Sequence, residues 1–510
     1  MKKRLCIGVH SPSVVLRELL NSLGVWYQEI SSFEDLESHY SAIIIENDSH
    51  FSPEQLQNID RYKANHGAIL QIATKSQILT SKLTQRFVKR IWNTESHPLF
   101  HHIPYMDVYQ TVALCSNSDL FGGLIHFEEP NVGFIGIDAS NIEYTAQSTR
   151  KYFSSHIEPN PDELVANLSL GVLQDIVYRC LLQLHLNQDL PLVTKWTSPS
   201  TKPYFGFRID SDFGTKEKLD ELYHLLKAEK IKGTWFLHVK QHEEYLDHLK
   251  SYENQELAFH GYEHGTSSSP AKTSINLNRG MDVLSDHGIK PNGYCAPYGI
   301  WNQAMWDTIK DFDLHYLSDF SISYDALPHT LSIEKREFLQ IPIHPICTGS
   351  LSRKRYSSSM MEEYFLNYAE QQIGLQKPLM LYHHPMQKGL EALKSIFKWV
   401  NEKKLPSLSF SEITSFCQER ASLSFEAYLH NGALTISTQS DSKFLFGVQS
   451  KVDSILVMPQ TKQQHSTESG ELITLSTQKA FTEQQLSKLK GNRLALLKTS
   501  IIDWKNRERL

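Results

Sequence analysis

Asp210 and Asp212 close the apolar run 204–209 (Tyr-Phe-Gly-Phe-Arg-Ile), and Gly214 follows, so two carboxylates stand where a buried strand should end. Open α/β sheets and barrels build their sites at that end, because the loops there bring side chains into one crevice. His260 and His264 stand at i and i+4, just after a second strand-like run at 256–259. This spacing can turn two imidazoles to one side, and with one carboxylate they suit zinc while leaving a position for water. The metal lowers the pKa of that water towards neutrality.

The histidine spacing alone says little. With 24 His in 510 residues, roughly one i,i+4 pair is expected by chance. His97 with His101 and His238 with His242 show the same spacing and are read as solvated or hydrogen-bonded side chains. Asp311 and Asp313 repeat the DxD pattern between a helical and a strand-like segment, as a solvated turn would.

Order along the chain carries more information. Asp210-Ser-Asp212-Phe-Gly214 is followed by Lys232-Gly-Thr-Trp-Phe-Leu237, His260-Gly-Tyr-Glu-His264, Cys295-Ala-Pro-Tyr-Gly299 and Leu381-Tyr-His-His384-Pro385. In these five motifs residues 200–415 resemble the polysaccharide deacetylases with a NodB homology domain, carbohydrate esterase family four. The resemblance implies a distorted β/α barrel that removes N- or O-acetyl groups with a divalent metal, usually zinc. It implies Asp212, His260 and His264 as metal ligands and Asp210 as general base. Of the adjacent histidines, His384 stands directly before Pro385, as the family's catalytic acid does, which favours it over His383. Tyr298 would occupy the loop whose backbone N–H helps stabilise the oxyanion.

One position departs from the pattern. Cys295 stands where the family usually has an Arg that orients the catalytic Asp. Arg208 lies two residues before Asp210 on the same strand, so alternation puts both side chains on one face, and Arg208 is expected to replace part of the missing charge. Among the nearby aromatics Trp235, Phe236, Trp301 and Trp306, core packing is the plain reading for most. Trp301, beside the Cys-Ala-Pro-Tyr-Gly loop, is the candidate for a substrate contact.

The surrounding elements read as α/β. Apolar runs at 5–9, 42–45 and 68–72 alternate with helical patterns at 14–23 and 53–62, and further strand-like runs follow at 111–115, 123–127 and 132–137. The expected order is a flavodoxin- or amidotransferase-like α/β domain at 1–150, a helical linker at 151–200, the NodB-like barrel at 201–420 and a small β-rich domain at 421–510. The β-rich reading rests on the alternation around Asn431-Gly432, a hairpin signal. No cysteine sits in a tight turn after a strand of the first domain, and Cys115 lacks flanking glycines, so that domain is read as non-catalytic.

Composition sets outer limits. Lys plus Arg number 51 against 57 for Asp plus Glu, a net charge of −6, which gives no whole-chain support for capture of nucleic acid or an anionic membrane. No apolar run approaches the roughly 20 residues of a transmembrane span. The apolar stretch after Met1-Lys-Lys-Arg4 is too short for a secretory signal, and six cysteines without CxxC spacing read as free thiols, so a cytoplasmic protein is expected. The expected partner is a saccharide or small-molecule amide, and the leading function is deacetylation of an N-acetylated sugar or polysaccharide precursor. The alternatives are hydrolysis of a non-sugar linear or cyclic amide, and an inactive carbohydrate-binding scaffold.

Overall fold

The computed structural model describes residues 2–46, 51–94, 97–142, 147–333, 336–439, 443–459, 470–476, 481–508 and 510. The chain forms two compact units that interleave along the sequence. Met1–Glu143, Leu168–Thr201 and Glu419–Phe481 make the first, and Tyr144–Asn167, Lys202–Gln418 and Thr482–Leu510 the second. This differs from the four consecutive segments expected, because distant strands pair: Lys2–Arg4 lies antiparallel to Phe425–His430, and Leu192–Lys195 to Leu445–Lys451. Such pairings leave no local trace in a sequence.

The first unit holds a six-stranded sheet in the order Tyr27–Glu29, Ile7–His10, Ala42–Glu46, Ala68–Ile72, Val132–Ile135 and Ile125–Glu129, parallel except for the last pair. Ala42–Glu46 and Ala68–Ile72 are buried along their whole length, as strands covered on both faces must be. Val14–Leu23 starts on the Ser13 cap and stops at Gly24, whose φ of +73° a side chain would resist. A capping box, Ser52 with Gln55, starts Pro53–Ala64. The region 151–200, expected to be a helical linker, contains the long helix Leu170–Leu186 but also the strands Asp162–Ala166 and Leu192–Lys195.

The second unit is organised on one sheet: β1 (Phe205–Asp210), β2 (Gly233–Leu237), β3 (Glu256–Phe259), β4 (Gly293–Tyr294), β5 (Tyr316–Leu317), β6 (His329–Ile333), β7 (Arg336–Gln340), β8 (Leu379–His383) and β9 (Ser407–Leu408). Their order is β6-β7-β5-β4-β3-β2-β1-β8, with β9 also on β1, and every pair is parallel except β6 with β7. The expected distorted β/α barrel takes the form of an open, curled sheet among the described residues. Residues 341–344 run on beyond β7 without forming a strand, and one backbone bond there, His344 N–H to the Met380 carbonyl at 3.0 Å, spans to β8. All six residues of β1 are buried, Phe205, Phe207 and Ile209 in a core with Leu219, Leu222 and Trp235.

The segment beyond 420 is only partly β-rich. Among the described residues the last strand is Glu471–Thr474, and the helices Glu483–Lys490 and Arg493–Asn506 follow, the former opened by a capping box of Thr482 and Gln485. Among the described residues no helix is long and apolar enough to cross a membrane.

Candidate metal and acid–base site

The sheet of the second unit brings the expected residues to one edge. Asp210 ends β1, His260 directly follows β3, Cys295 follows β4 and His384 follows β8, all at the carboxyl ends of parallel strands. The turn after β1 is held from β2: Ser211 N–H donates to the Phe236 carbonyl at 3.0 Å, and His238 N–H to Ser211 Oγ at 2.9 Å. Asp212 has φ +37°, a conformation that needs such support. His238 Nδ1 supplies more, bonding the Asp212 carbonyl at 2.9 Å. Burial pushes the His238 imidazole down to about 4, which keeps it neutral. The sequence reading set His238 aside, yet it clamps the loop that presents Asp212; its place directly after a buried strand was the available signal.

Asp212 Oδ1 lies 3.4 Å from His260 Nε2 and 3.1 Å from His264 Nε2. It is buried and has no hydrogen-bond partner, so a carboxylate oxygen and two imidazole nitrogens converge on a point that none of them satisfies. His260 Nδ1 bonds the Cys295 carbonyl at 2.8 Å, which places the proton on Nδ1 and leaves the Nε2 lone pair facing Asp212. Burial opposes ionisation of Asp212, but His384, His260 and His264 outweigh it and hold its carboxyl well below the usual range. This donor set fits a divalent ion with nitrogen and oxygen preference. Asp210, His260 and Cys295 also lie close together. There, however, the Cys295 thiol meets the same Nδ1 that bonds the carbonyl, at 3.0 Å, and both Asp210 oxygens are engaged by Arg208.

Arg208 grips Asp210 with two parallel bonds, Nε to Oδ1 at 2.5 Å and Nη2 to Oδ2 at 2.6 Å. Its remaining Nη1 donates to the Ser318 carbonyl, and the guanidinium lies 5.1 Å from the Phe236 ring and 5.3 Å from that of Phe320. Burial would raise the carboxyl pKa of Asp210, and the Arg208 charge reverses that, keeping Asp210 ionised. Arg208 and Asp210 therefore lie on one face of the strand and pair directly. Cys295 is itself fully buried, 3.9 Å from Asp210 Oδ1.

His384 Nε2 lies 3.4 Å from Asp212 Oδ2 and 3.8 Å from Asp210 Oδ2. Burial disfavours its charge, yet Asp212, Cys347 and Asp210 raise its pKa to about 10, so the imidazolium form dominates. His383 is drawn elsewhere: its Nδ1 meets Thr348 Oγ1 at 2.9 Å, and burial pushes it down to about 3. Cys347, beside His384, was missed by the sequence reading. Burial opposes its thiolate, but His384 brings it down to about 7.

Two expectations need correction or refinement. Trp301 is 4% exposed and packs at 4.2 Å on Trp306 and edge-on to Tyr294, so it has no free face for a sugar ring. The apolar surroundings of the Tyr294–Trp301 turn bury it. The exposed aromatic at the site is Phe213, 42% exposed and edge-on to His238 and His264. Tyr298 does reach the site, its ring 4.6 Å from that of His264, and its φ of +60° marks a sharp turn. That turn is anchored by Asp319, which accepts the Ala296 N–H at 2.9 Å and whose carboxyl burial pushes up to about 7. Asp311 and Asp313 are exposed, as a solvated turn requires.

Comparison with known proteins agrees with this part of the chain. Residues 209–317 match the family model described as polysaccharide deacetylase, a stretch that contains Asp210, Asp212, His260 and His264 and ends before His384. The family is one of hydrolases acting on carbon–nitrogen bonds other than peptide bonds. No curated protein matches the chain. Among solved structures, one assigned as a polysaccharide deacetylase from Mycobacterium smegmatis is 17% identical, covering 44% of this chain and 94% of its own, with a TM-score of 0.38. Peptidoglycan deacetylase PdaC from Bacillus subtilis is 13% identical over 44% and 95%, with a TM-score of 0.33. BA3943 from Bacillus anthracis, a pseudoenzyme of carbohydrate esterase family four, is 17% identical over 42% and 69%, with a TM-score of 0.32. At such identities these neighbours assign no activity to the chain.

Proposed function

We propose that the second unit is a metal-dependent deacetylase that removes an acetyl group from an N-acetylated sugar or saccharide precursor. The observation that carries this reading is the pairing of two arrangements at the carboxyl ends of the parallel strands. Asp212, His260 and His264 converge with an unsatisfied carboxylate oxygen, and Asp210, gripped by Arg208, lies beside them with His384 Nε2 at 3.8 Å from its Oδ2. Zinc is the ion that two imidazoles and a carboxylate suit best. When bound, such an ion supplies Lewis acidity, polarising the acetyl carbonyl and easing deprotonation of water.

The chain's own groups divide the remaining work. Asp210, held as an anion by Arg208, receives the proton of the attacking water at a carboxylate oxygen. His384, held protonated by Asp212 and Asp210, gives its Nε2 proton to the nitrogen of the departing sugar amine, so acetate and amine are the products. The turn at Tyr298 is the proposed source of a backbone N–H for the oxyanion. Phe213 is the proposed platform for the sugar ring.

The test is acetate release from N-acetylglucosamine oligomers by the zinc-reconstituted protein. Release that falls by roughly 10²–10⁴-fold in Asp210→Asn and in His384→Ala supports the reading. Ring opening of cyclic ureides without acetate release would transfer the site to the non-sugar amidohydrolases.

A further inference from the structure

The helix Arg493–Asn506 presents its apolar side to solvent. Leu494, Leu497, Ile501 and Trp504 follow one another at i, i+3, i+7 and i+10, the spacing of a single helical stripe, and all four are exposed, Leu494 by 76% and Trp504 by 55%. Ile502 is exposed beside them. These five are nearly half of the eleven large hydrophobic side chains exposed among the described residues. The positions that are partly buried instead are Leu496, Thr499, Ser500 and Asp503, and Asp503 pairs with Arg150. A surface helix ordinarily buries such a stripe and exposes its polar side; here the arrangement is reversed.

Charge around the stripe is one-sided. Arg493, Lys498 and Lys505 are exposed on the same helix, and from 482 to 510 the sequence has seven Lys and Arg against three Asp and Glu. The whole chain has the opposite balance, 51 against 57, so this segment's positive charge disappears in the total. The helix is also tethered at both ends. Tyr152 Oη donates to the Asn492 carbonyl at 3.3 Å, Glu508 N–H donates to Tyr298 Oη at 3.0 Å, and Lys272 Nζ donates to the Leu510 carbonyl at 2.8 Å. The stripe is therefore fixed in its outward orientation on the second unit, beside the turn that carries Tyr298.

We propose that Arg493–Asn506 is a docking helix for a bilayer surface rich in anionic lipid headgroups. Leucine, isoleucine and tryptophan with Lys498 and Lys505 set among them, long side chains whose ammonium groups can reach headgroups while their stems stay in the apolar layer, are the chemistry of a helix lying in the membrane interface rather than spanning it. A second copy of the chain fits less well, because a two-fold contact through this face would bring Lys498 and Lys505 against their own copies. The assignment stands apart from the deacetylase reading, since docking needs neither the metal nor turnover.

The test is flotation of the full-length protein with vesicles of phosphatidylcholine alone and of phosphatidylcholine mixed with phosphatidylglycerol. The native protein is expected to float with the mixed vesicles, to stay behind with the neutral ones, and to be released by added salt. Leu497→Asp with Trp504→Asp, both at exposed positions, should reduce the bound fraction at least about tenfold while the circular dichroism spectrum stays native. Lys498→Gln with Lys505→Gln should reduce it too, by removing charge and leaving the stripe intact. Absence of native protein from the mixed vesicles, or equal flotation of native and Leu497→Asp/Trp504→Asp proteins, would overturn the proposal. Self-association by light scattering that this double variant abolishes, without vesicle binding, would assign the stripe to a second copy and overturn it as well.

Discussion

Arg208 and Asp210 show what two residues of spacing can and cannot reveal. Alternation along a strand put them on one face, and the structure turns that adjacency into a two-pronged ion pair with both partners buried. Removing one partner of a buried pair leaves the other charge uncompensated. Arg208→Ala should cost about 3–5 kcal/mol in urea unfolding and depress acetate release, and Cys295→Arg in that background should recover part of both. Unchanged stability in Arg208→Ala would contradict the pairing. The tryptophan error is equally instructive: aromatic type beside a site loop does not say which way a ring faces. Trp301→Ala should destabilise by about 3–5 kcal/mol, whereas Phe213→Ala should leave stability nearly unchanged and raise KM for the oligosaccharide, a split readable from unfolding curves and initial rates. The ligand and acid–base candidates were legible through the order of five motifs and the family that order resembles, with strand-like runs before them to place them at one edge. Cys347 was not, because it reaches His384 from the start of the helix Thr348–Arg353, 37 positions earlier in the chain, with no motif around it.

The strands were the most legible elements where they are covered on both faces, since β1, β2 and β8 are buried along their whole length and mostly apolar, with the polar residues of β1 and β8 towards their carboxyl ends. β4 and β5 are two residues each, too short to leave a periodic signal, and the openness of the sheet depends on how 341–344 run, which sequence pattern does not encode. The turn between β1 and the helix Lys216–Ala228 owes its shape to His238 at the end of β2. His238→Phe should therefore weaken metal binding by roughly ten- to a hundredfold in equilibrium titration while the fold persists, because the imidazole supports the Asp212 carbonyl without being a ligand in the set. Unchanged affinity would show that the turn holds itself. Close packing between β4 and β5 gives a second check at this scale: a Cβ on Gly293 would fall 1.9 Å from the Tyr316 ring, which is buried and bonded to Glu256. Gly293→Ala should lower stability by about 1–3 kcal/mol in urea unfolding.

For the whole molecule, interleaving of the two units was hidden because it rests on strand pairs hundreds of residues apart, such as Lys3 with Leu429. The helical tail was hidden for a different reason: Leu496 stands opposite Leu494, and Lys498 and Lys505 fall among the apolar residues, so no clean two-sided pattern marks the helix. Buried neutral histidines in both units link stability to pH. His185 bonds the Leu181 carbonyl and Ser41 Oγ, and burial pushes it down to about 4; burial likewise lowers His329 to about 4 and His344 to about 3. Each folded value lies below the ordinary 6.5, so the unfolded chain takes up protons first as the solution is acidified. Their contribution is complete above about pH 6.5 and is lost progressively as the pH falls towards those folded values. Urea midpoints should drop between about pH 7 and about pH 5, and substitution of His344 by Phe should flatten that slope. A midpoint that does not move over that range would contradict the burial of these rings as neutral imidazoles.

The most direct test of the central claim is the metal content of the native chain and of the His260→Ala/His264→Ala variant after reconstitution with zinc, read by elemental mass spectrometry. The account predicts about one equivalent per chain in the native protein and loss of it in the variant. No bound ion in either protein would contradict the metal site, and with it the proposed hydrolysis.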